Sequence, residues 1–285
     1  MKDTEKVTFK EAVLWGQDQL SFLGKRVAER NAEDLILHVS KVSLENSFKI
    51  FSSSLKEKQW EDYRALIFKA KEGVPLQYLL GTVPFMDCGL KVNPDVLIPR
   101  PETEELCEKI LKRCEEVPPQ SILDIGTGSG AIAIALAQKW SDANVVALDI
   151  CEKALRVAQF NVEKYDLSKR IKLLKSDLFD NCQGNFDLIV SNPPYISEEE
   201  MEEVPSLVKD HEPMRALLGG KSGIDIYEKF SKNVHDFLNK DGLVALEIGE
   251  TQGDILRILF QNQLGVEVEV EKDMQGKERF IFFTH

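Results

Sequence analysis

Residues that hold metals or lock small folds are scarce in this 285-residue chain. It has four histidines and five cysteines, Cys88, Cys107, Cys114, Cys151 and Cys182, with no Cys-x-x-Cys pair among them. An odd set of scattered thiols suits a reducing compartment and argues against a disulfide framework or a structural zinc site. Long apolar runs are missing too: no stretch approaches the ~18 consecutive apolar residues of a membrane span. The opening residues 1–10 mix Lys, Asp, Glu and Thr and read neither as a signal peptide nor as an Arg-rich transit peptide. Nor is there an excess of basic charge. The formal net charge is −12, the wrong sign for a protein that neutralises many nucleic-acid phosphates. These absences predict a cytoplasmic protein with no membrane contact and no direct nucleic-acid partner.

What is present is globular: 43% of the residues are hydrophobic, and the length exceeds the usual single domain, so two domains are expected. In the first part apolar residues recur at helical spacing, Phe9, Val13, Leu20 and Leu23, then Leu35 and Val39, then Leu55, Tyr63, Leu66 and Ala70, which predicts a small helical bundle. Ser54 followed by Glu57 reads as a capping box opening the last helix, and Asn31 as the cap of an earlier one. Gly73 and Pro75 stop the helical run. The next segments, Leu76-Gln77-Tyr78-Leu79-Leu80-Gly81, Val83-Pro84-Phe85 and Leu90-Lys91-Val92, read as short strands of a hairpin linker. The division is therefore a helical domain over 1–75, a β-hairpin linker over 76–100, and a third region over 101–285.

After a helix at about 103–115 and a break at Pro118-Pro119, apolar strands alternate with amphipathic helices. The strands are expected at 121–125, 144–149, 170–175, 186–191 and 243–248, a pattern of a doubly wound, mostly parallel sheet. The last two, 266–270 and 278–283, are joined by a short turn containing Gly276, which demands antiparallel pairing.

The first of these strands runs into Gly126-Thr127-Gly128-Ser129-Gly130, followed by a good helix-forming run. Glycines there let the backbone turn sharply and approach a ligand at the carboxyl edge of the sheet. With Ala131 the run also satisfies G-x-G-x-x-A, so by itself it does not separate S-adenosylmethionine from NAD. Asp149 closes the second strand ~20 residues further on, where an acid accepts from both hydroxyls of a ribose. Asp177, after the third strand, is placed to accept from an adenine amine, or else caps a turn. Leu178 beside it offers an apolar face to the ring. Asp124 anchors the glycine loop or the amino group of a methionine moiety.

The fourth strand ends in Asn192-Pro193-Pro194-Tyr195. An amide or aromatic amine nitrogen is a weak nucleophile because its lone pair is delocalised. Two acceptors aimed at its N–H bonds, the Asn192 side-chain carbonyl and the Pro193 backbone carbonyl, hold it and raise its electron density. Pro193 and Pro194 remove competing donors, Tyr195 offers a π-face to a planar group, and methyl transfer then needs mainly orientation. Asn192 also borders the cofactor. A proline-rich turn with no ligand is the plain structural alternative.

On these residues the chain resembles the release factor glutamine methyltransferase (PrmC/HemK) family over nearly its whole length. The matching segments include Pro75-Leu76-Gln77-Tyr78-Leu79-Leu80-Gly81, Ile98-Pro99-Arg100-Pro101-Glu102-Thr103-Glu104, the glycine loop, Asn192-Pro193-Pro194-Tyr195, Glu212-Pro213-Met214-Arg215-Ala216-Leu217 and Gly276-Lys277-Glu278-Arg279. The resemblance implies an α/β, Rossmann-like S-adenosylmethionine-dependent methyltransferase domain, seven-stranded with the last strand reversed, preceded by an all-α bundle that engages the release factor and by a hairpin containing Phe85. It implies S-adenosyl-L-methionine as cofactor and, as substrate, the glutamine of a Gly-Gly-Gln motif in class I peptide chain release factors. It carries Gly126, Thr127, Gly128, Ser129, Gly130, Asp149 and Leu178 over as cofactor contacts and Asn192, Pro193, Pro194 and Tyr195 as glutamine contacts, with residues 98–103 bordering both. The segment Pro84-Phe85-Met86-Asp87-Cys88-Gly89 departs from the family pattern of a glycine soon after the aromatic residue, which touches only the hairpin geometry.

Arg100 and Glu102 divide evenly between an ion pair or cap and a catalytic role. His38 reads as a packing residue, and His211 has no second ligand at metal spacing. The acidic run from Glu198 to Glu203 reads as a solvated helix face that could steer a basic partner. Three rivals stay open: a methyltransferase acting on the exocyclic amine of adenine in a nucleic acid, a nucleotide-dependent oxidoreductase using the glycine loop, and a non-enzymatic binding module. A monomer is expected.

Overall fold

A computed structural model describes residues 7–46 and 52–284. The first six residues of the 1–10 segment read above, together with 47–51 and 285, lie outside the described residues. The chain falls into two compact units, residues 1–81 and 82–285.

The first unit is helical: α1 Phe9–Gln19, α2 Lys25–Ser40, α3 Glu57–Lys71 and α4 Leu76–Leu80. Its core brings together the apolar faces read from the sequence, with Leu20, Leu35, Ile36, Tyr63 and Ile67 fully buried. Thr8 caps α1 in a box with Glu11. Three expectations are corrected here. Asn31 lies inside α2, because Gly24, at φ +86, breaks the chain and the good helix formers after it start the helix at Lys25. Ser54 does not cap α3: its neighbourhood is held extended by Phe9 N–H to Ser53 O and Leu55 N–H to Val7 O, and Lys56 is the cap, its N–H donating to Gln59. Leu76–Leu80 is a helix, not a strand. Leu76, Leu79 and Leu80 pack on the bundle core, and that spacing is a helical stripe rather than an alternation.

The second unit opens with an antiparallel hairpin, β1 Thr82–Phe85 and β2 Cys88–Lys91. Met86 takes the left-handed turn position (φ +48) and donates its N–H to Glu104. The hairpin is regular without a glycine there. It is sewn onto the body of the unit by Tyr165, whose hydroxyl accepts from Gly89 N–H, and by Asn161, which exchanges hydrogen bonds with the backbone of Lys91.

Then follow α5 Pro101–Arg113, β3 Ser121–Ile125, α6 Ala131–Lys139, β4 Asn144–Asp149, α7 Glu152–Lys164, β5 Ile171–Lys175, β6 Phe186–Ser191, short helices α8 Glu200–Glu203 and α9 Ser206–Lys209, α10 Asp225–Asn233, β7 Leu238–Glu247, α11 Gly253–Leu264, β8 Glu269–Lys272 and β9 Glu278–Thr284. Pro101 at the first helical position starts α5. The sheet order is β5-β4-β3-β6-β7-β9-β8, parallel from β5 to β7, with β9 antiparallel to both of its neighbours. The predicted seven strands and the reversed last one are all present. The strand expected at 243–248 begins earlier, at Leu238, and that expected at 266–270 forms later, at Glu269–Lys272.

The order reverses between β3 and β6. Crossovers leave β3 on one side and β6 on the other, so a crevice opens at their carboxyl ends, where such sheets take ligands. Ile125 pairs with Ser191, and the Ser191 hydroxyl donates to the Ile125 carbonyl. The loops after these two strands are thereby neighbours.

Candidate active site

The loop after β3 is wound by three left-handed glycines, Gly126, Gly128 and Gly130, at φ +74, +55 and +84. A Cβ on Gly130 would sit tightly against Ile134 at 3.3 Å and touch Ala158 at 3.4 Å, and its φ of +84 is one that side-chain-bearing residues rarely adopt, so glycine suits both the turn and the approach of α6 and α7 to the loop. Thr127 and Ser129 are buried and shape it: the Thr127 hydroxyl donates to Asp124 Oδ2 at 2.6 Å, and Ser129 O accepts from the Asn161 amide at 2.9 Å.

Asp124 sits under this loop, fully buried. Its Oδ2 also accepts Ala133 N–H at 3.2 Å, tying the strand to the start of α6. Its Oδ1 is buried with no partner. Burial pushes the carboxyl up to about 7, against the pull of Thr127 and Ala133, and Asp149 pushes the same way. An orphaned carboxylate oxygen fits a cationic group such as the ammonium of a methionine moiety.

Asp149 ends β4 and accepts Gly128 N–H at 2.9 Å on one oxygen and Cys151 N–H at 2.8 Å on the other. Burial raises its pKa, and those two backbone donors oppose the rise. Each oxygen keeps a lone pair for a hydroxyl. Asp177 is exposed beyond β5; the turn-capping alternative weighed for it is filled instead by Ser176, whose hydroxyl accepts Asn181 N–H. Leu178 is half-buried against the sheet core at φ +46, a conformation that costs a leucine about 1 kcal/mol. Such strain is characteristic of ligand-bearing turns.

Asn192, Pro193, Pro194 and Tyr195 form one wall of a cleft whose other lining includes Leu97, Arg100, Leu217 and Glu247. A Cβ on Gly126 would lie 3.9 Å from the Asn192 carbonyl, so the predicted glycine-loop and tetrad residues do come together. The backbone of the tetrad is clamped from behind: Gln252 donates through Nε2 to Tyr195 O at 2.8 Å and to Gly223 O. Burial pushes the Tyr195 hydroxyl up to about 12 and Glu247 adds to it, so the ring stays a neutral phenol.

The stretch 98–103 reaches the same cleft. Thr103 accepts from Asn192 Nδ2 at 2.9 Å and donates to Glu247 at 2.7 Å. Arg100 pairs with the buried Glu212 at 2.6 Å, and Glu212 also accepts Ile98 N–H, so the ion-pair reading of Arg100 is the one observed. The acidic run is partly architectural, since Glu200 closes a capping box with Ser197 through the Ser197 N–H and hydroxyl. Among the described residues no group of His, Cys, Asp or Glu is placed to hold a metal. Sequence reasoning missed Asn161, Glu247 and Gln252 altogether. Glu247 alone carried a signal, an acid at the end of a buried apolar strand.

Comparison with known proteins follows the same division. The family described as the PrmC N-terminal domain matches residues 11–81, and that described as the methyltransferase small domain matches residues 103–210. The chain is 38% identical to the release factor glutamine methyltransferase of Bacillus cereus over 95% of this chain and 97% of that one. It is 38% identical to that of Bacillus subtilis over 96% of both chains, and 44% identical to that of Streptococcus pneumoniae over 73% and 74%. Among solved structures, a methyltransferase from Pyrococcus furiosus superposes with a TM-score of 0.54 at 23% identity, over 79% of this chain and 98% of that one.

Proposed function

Because the chain belongs to the release factor glutamine methyltransferase family, we propose that it methylates the side-chain amide nitrogen of the Gly-Gly-Gln glutamine in class I peptide chain release factors. The single observation that carries the site assignment is the tetrad Asn192-Pro193-Pro194-Tyr195 at the carboxyl end of β6, beside the glycine loop at the reversal of strand order.

Bound S-adenosylmethionine supplies an electrophilic methyl group on a sulfonium. The residues present fit that cofactor: Asp124 Oδ1 is free for its ammonium, Asp149 for its ribose, and Asp177 and Leu178 for its adenine. Gly126, Thr127, Gly128, Ser129 and Gly130 form the bed beneath it.

The chain's work on the substrate is orientation. Asn192 Oδ1 and the Pro193 carbonyl accept the two amide N–H bonds, which returns electron density to nitrogen and fixes its direction of attack. Tyr195 lays its ring against the planar group. No strong base would be needed from the chain, because an amide nitrogen that has received a methyl group is acidic enough to give its proton to solvent water. The helical unit engages the release factor. The same reading has the protein act in the cytoplasm as a monomer; among the described residues no helix is long and apolar enough to cross a membrane.

The test is peptide mass spectrometry of a purified class I release factor incubated with the protein and S-adenosylmethionine, beside an Asn192→Ala control. One methyl gained on the glutamine and lost in the control is the expected result. No gain while cofactor binding is intact overturns the substrate assignment.

A further inference from the structure

We propose that Thr103 and Glu247 are positioning residues that set which way the Asn192 amide faces, an inference that rests on the assignment of Asn192 to the substrate glutamine. A side-chain amide has two ends of nearly equal size and opposite hydrogen-bonding sense. Turned the wrong way, Asn192 would present N–H to the substrate's N–H and repel the group it must hold. The two orientations differ little sterically, so something polar has to choose.

The choice is made by a chain of two hydrogen bonds. Asn192 Nδ2 donates to Thr103 Oγ1 at 2.9 Å, and Thr103 Oγ1 donates to Glu247 Oε2 at 2.7 Å. A threonine hydroxyl has a single proton, and an ionised carboxylate only accepts. With the Thr103 proton committed to Glu247, Thr103 has only lone pairs left for Asn192, so the NH2 end must turn toward it. The carbonyl end is left for the substrate. Both partners are shielded, Thr103 at 4% and Glu247 at 1% exposure, so water does not substitute for either bond. The framework holds them as well: Thr103 lies in the first turn of α5, Glu247 is the last residue of β7, and the Tyr227 hydroxyl from α10 donates to the Glu247 carbonyl at 2.7 Å.

Charge around Glu247 is mixed. Arg279 from β9 and Arg100 favour its ionised form, whereas Glu102 opposes it. Tyr195 and Tyr227 face it as neutral phenols, and Cys107 of α5 as a neutral thiol. Burial dominates and pushes the carboxyl up to about 7. Once protonated, Glu247 has an O–H to donate as well as an oxygen that accepts, so the Thr103 proton is no longer committed to it, is free to turn toward Asn192, and the amide loses its fixed sense.

The experiment measures kcat/KM for a class I release factor across the pH range around neutrality with S-adenosylmethionine saturating at every pH, so that titration of Asp124, raised to about 7 in the cofactor site, does not enter the profile; S-adenosylhomocysteine affinity is the check on folding. The proteins are wild type, Asn192→Ala, Thr103→Val, Thr103→Ser and Glu247→Gln. Expected are a fall of about 10- to 100-fold in Thr103→Val at unchanged cofactor affinity, recovery of most of it in Thr103→Ser, and loss in Glu247→Gln of the acid limb that wild type shows. If Asn192→Ala is inactive while Thr103→Val keeps wild-type activity, or if the acid limb persists in Glu247→Gln, the orienting role is rejected and the Asn192 assignment stands. If Asn192→Ala itself remains active, both fall. Should Thr103→Val lose cofactor binding, the Thr103→Ser rate and the Glu247→Gln pH profile decide.

Discussion

Asp124 keeps one oxygen engaged by Thr127 and Ala133 and leaves the other buried without a partner, with its pKa raised from the ordinary carboxylate value to about 7. The raised pKa means that the folded protein binds this proton more tightly than the unfolded chain. The resulting stability is fully present below the unfolded pKa and is lost as pH rises through about 7. Asp124→Asn preserves both accepted bonds and removes the buried charge. It is expected to raise the stability of the cofactor-free protein above neutral pH by about 2 kcal/mol, read from denaturant unfolding. The same variant should bind S-adenosylmethionine about tenfold more weakly, since the charge-assisted bond proposed between Asp124 and the ammonium is lost. Binding to wild type just below neutrality should release a proton. Calorimetry in buffers of different ionisation heat would detect it, and equal heats in all buffers would remove Asp124 from the cofactor site.

At the scale of elements, the tetrad owes its shape to a second loop pressed against it. Gly219 donates its N–H to Ile196 O, and a Cβ there would come within 2.6 Å of Pro194 O and 2.8 Å of Tyr195 Cα. Gly219→Ala must displace the tetrad backbone, and we expect kcat/KM to fall about 10- to 100-fold with cofactor affinity little changed. Equal losses in both would show that the loop supports the cofactor bed instead. The alternation of apolar strands and helices made the sheet legible in the sequence, and the glycine loop and tetrad were legible because each follows a strand directly. Leu76–Leu80 was misread because Gly73, Pro75 and Gly81 around it mimic strand punctuation, although the Leu76, Leu79 and Leu80 spacing already told of a helix. Asn161 and Gln252 were beyond reach for a different reason: each is a lone polar residue whose role exists only through a partner distant in the chain.

At the scale of the whole molecule, the glycine loop, Asp149, Asp177, Leu178 and the tetrad all belong to the unit formed by residues 82–285, which has a large core of its own. A fragment of those residues is expected to bind S-adenosylhomocysteine with nearly the affinity of the full chain, while methylating a release factor poorly. Full activity in that fragment would remove the helical unit from substrate engagement. The sheet at the heart of this unit has two open edges. On β5 the exposed positions are Lys172 and Lys175; on β8 they are Glu269 and Lys272, and Glu269 and Glu271 are tied back to Arg113 and Lys109 of α5. A strand from another copy that paired there would have to strip water from these charges and break the ties. The sheet therefore ends at seven strands, protected from templating its own extension into an aggregate.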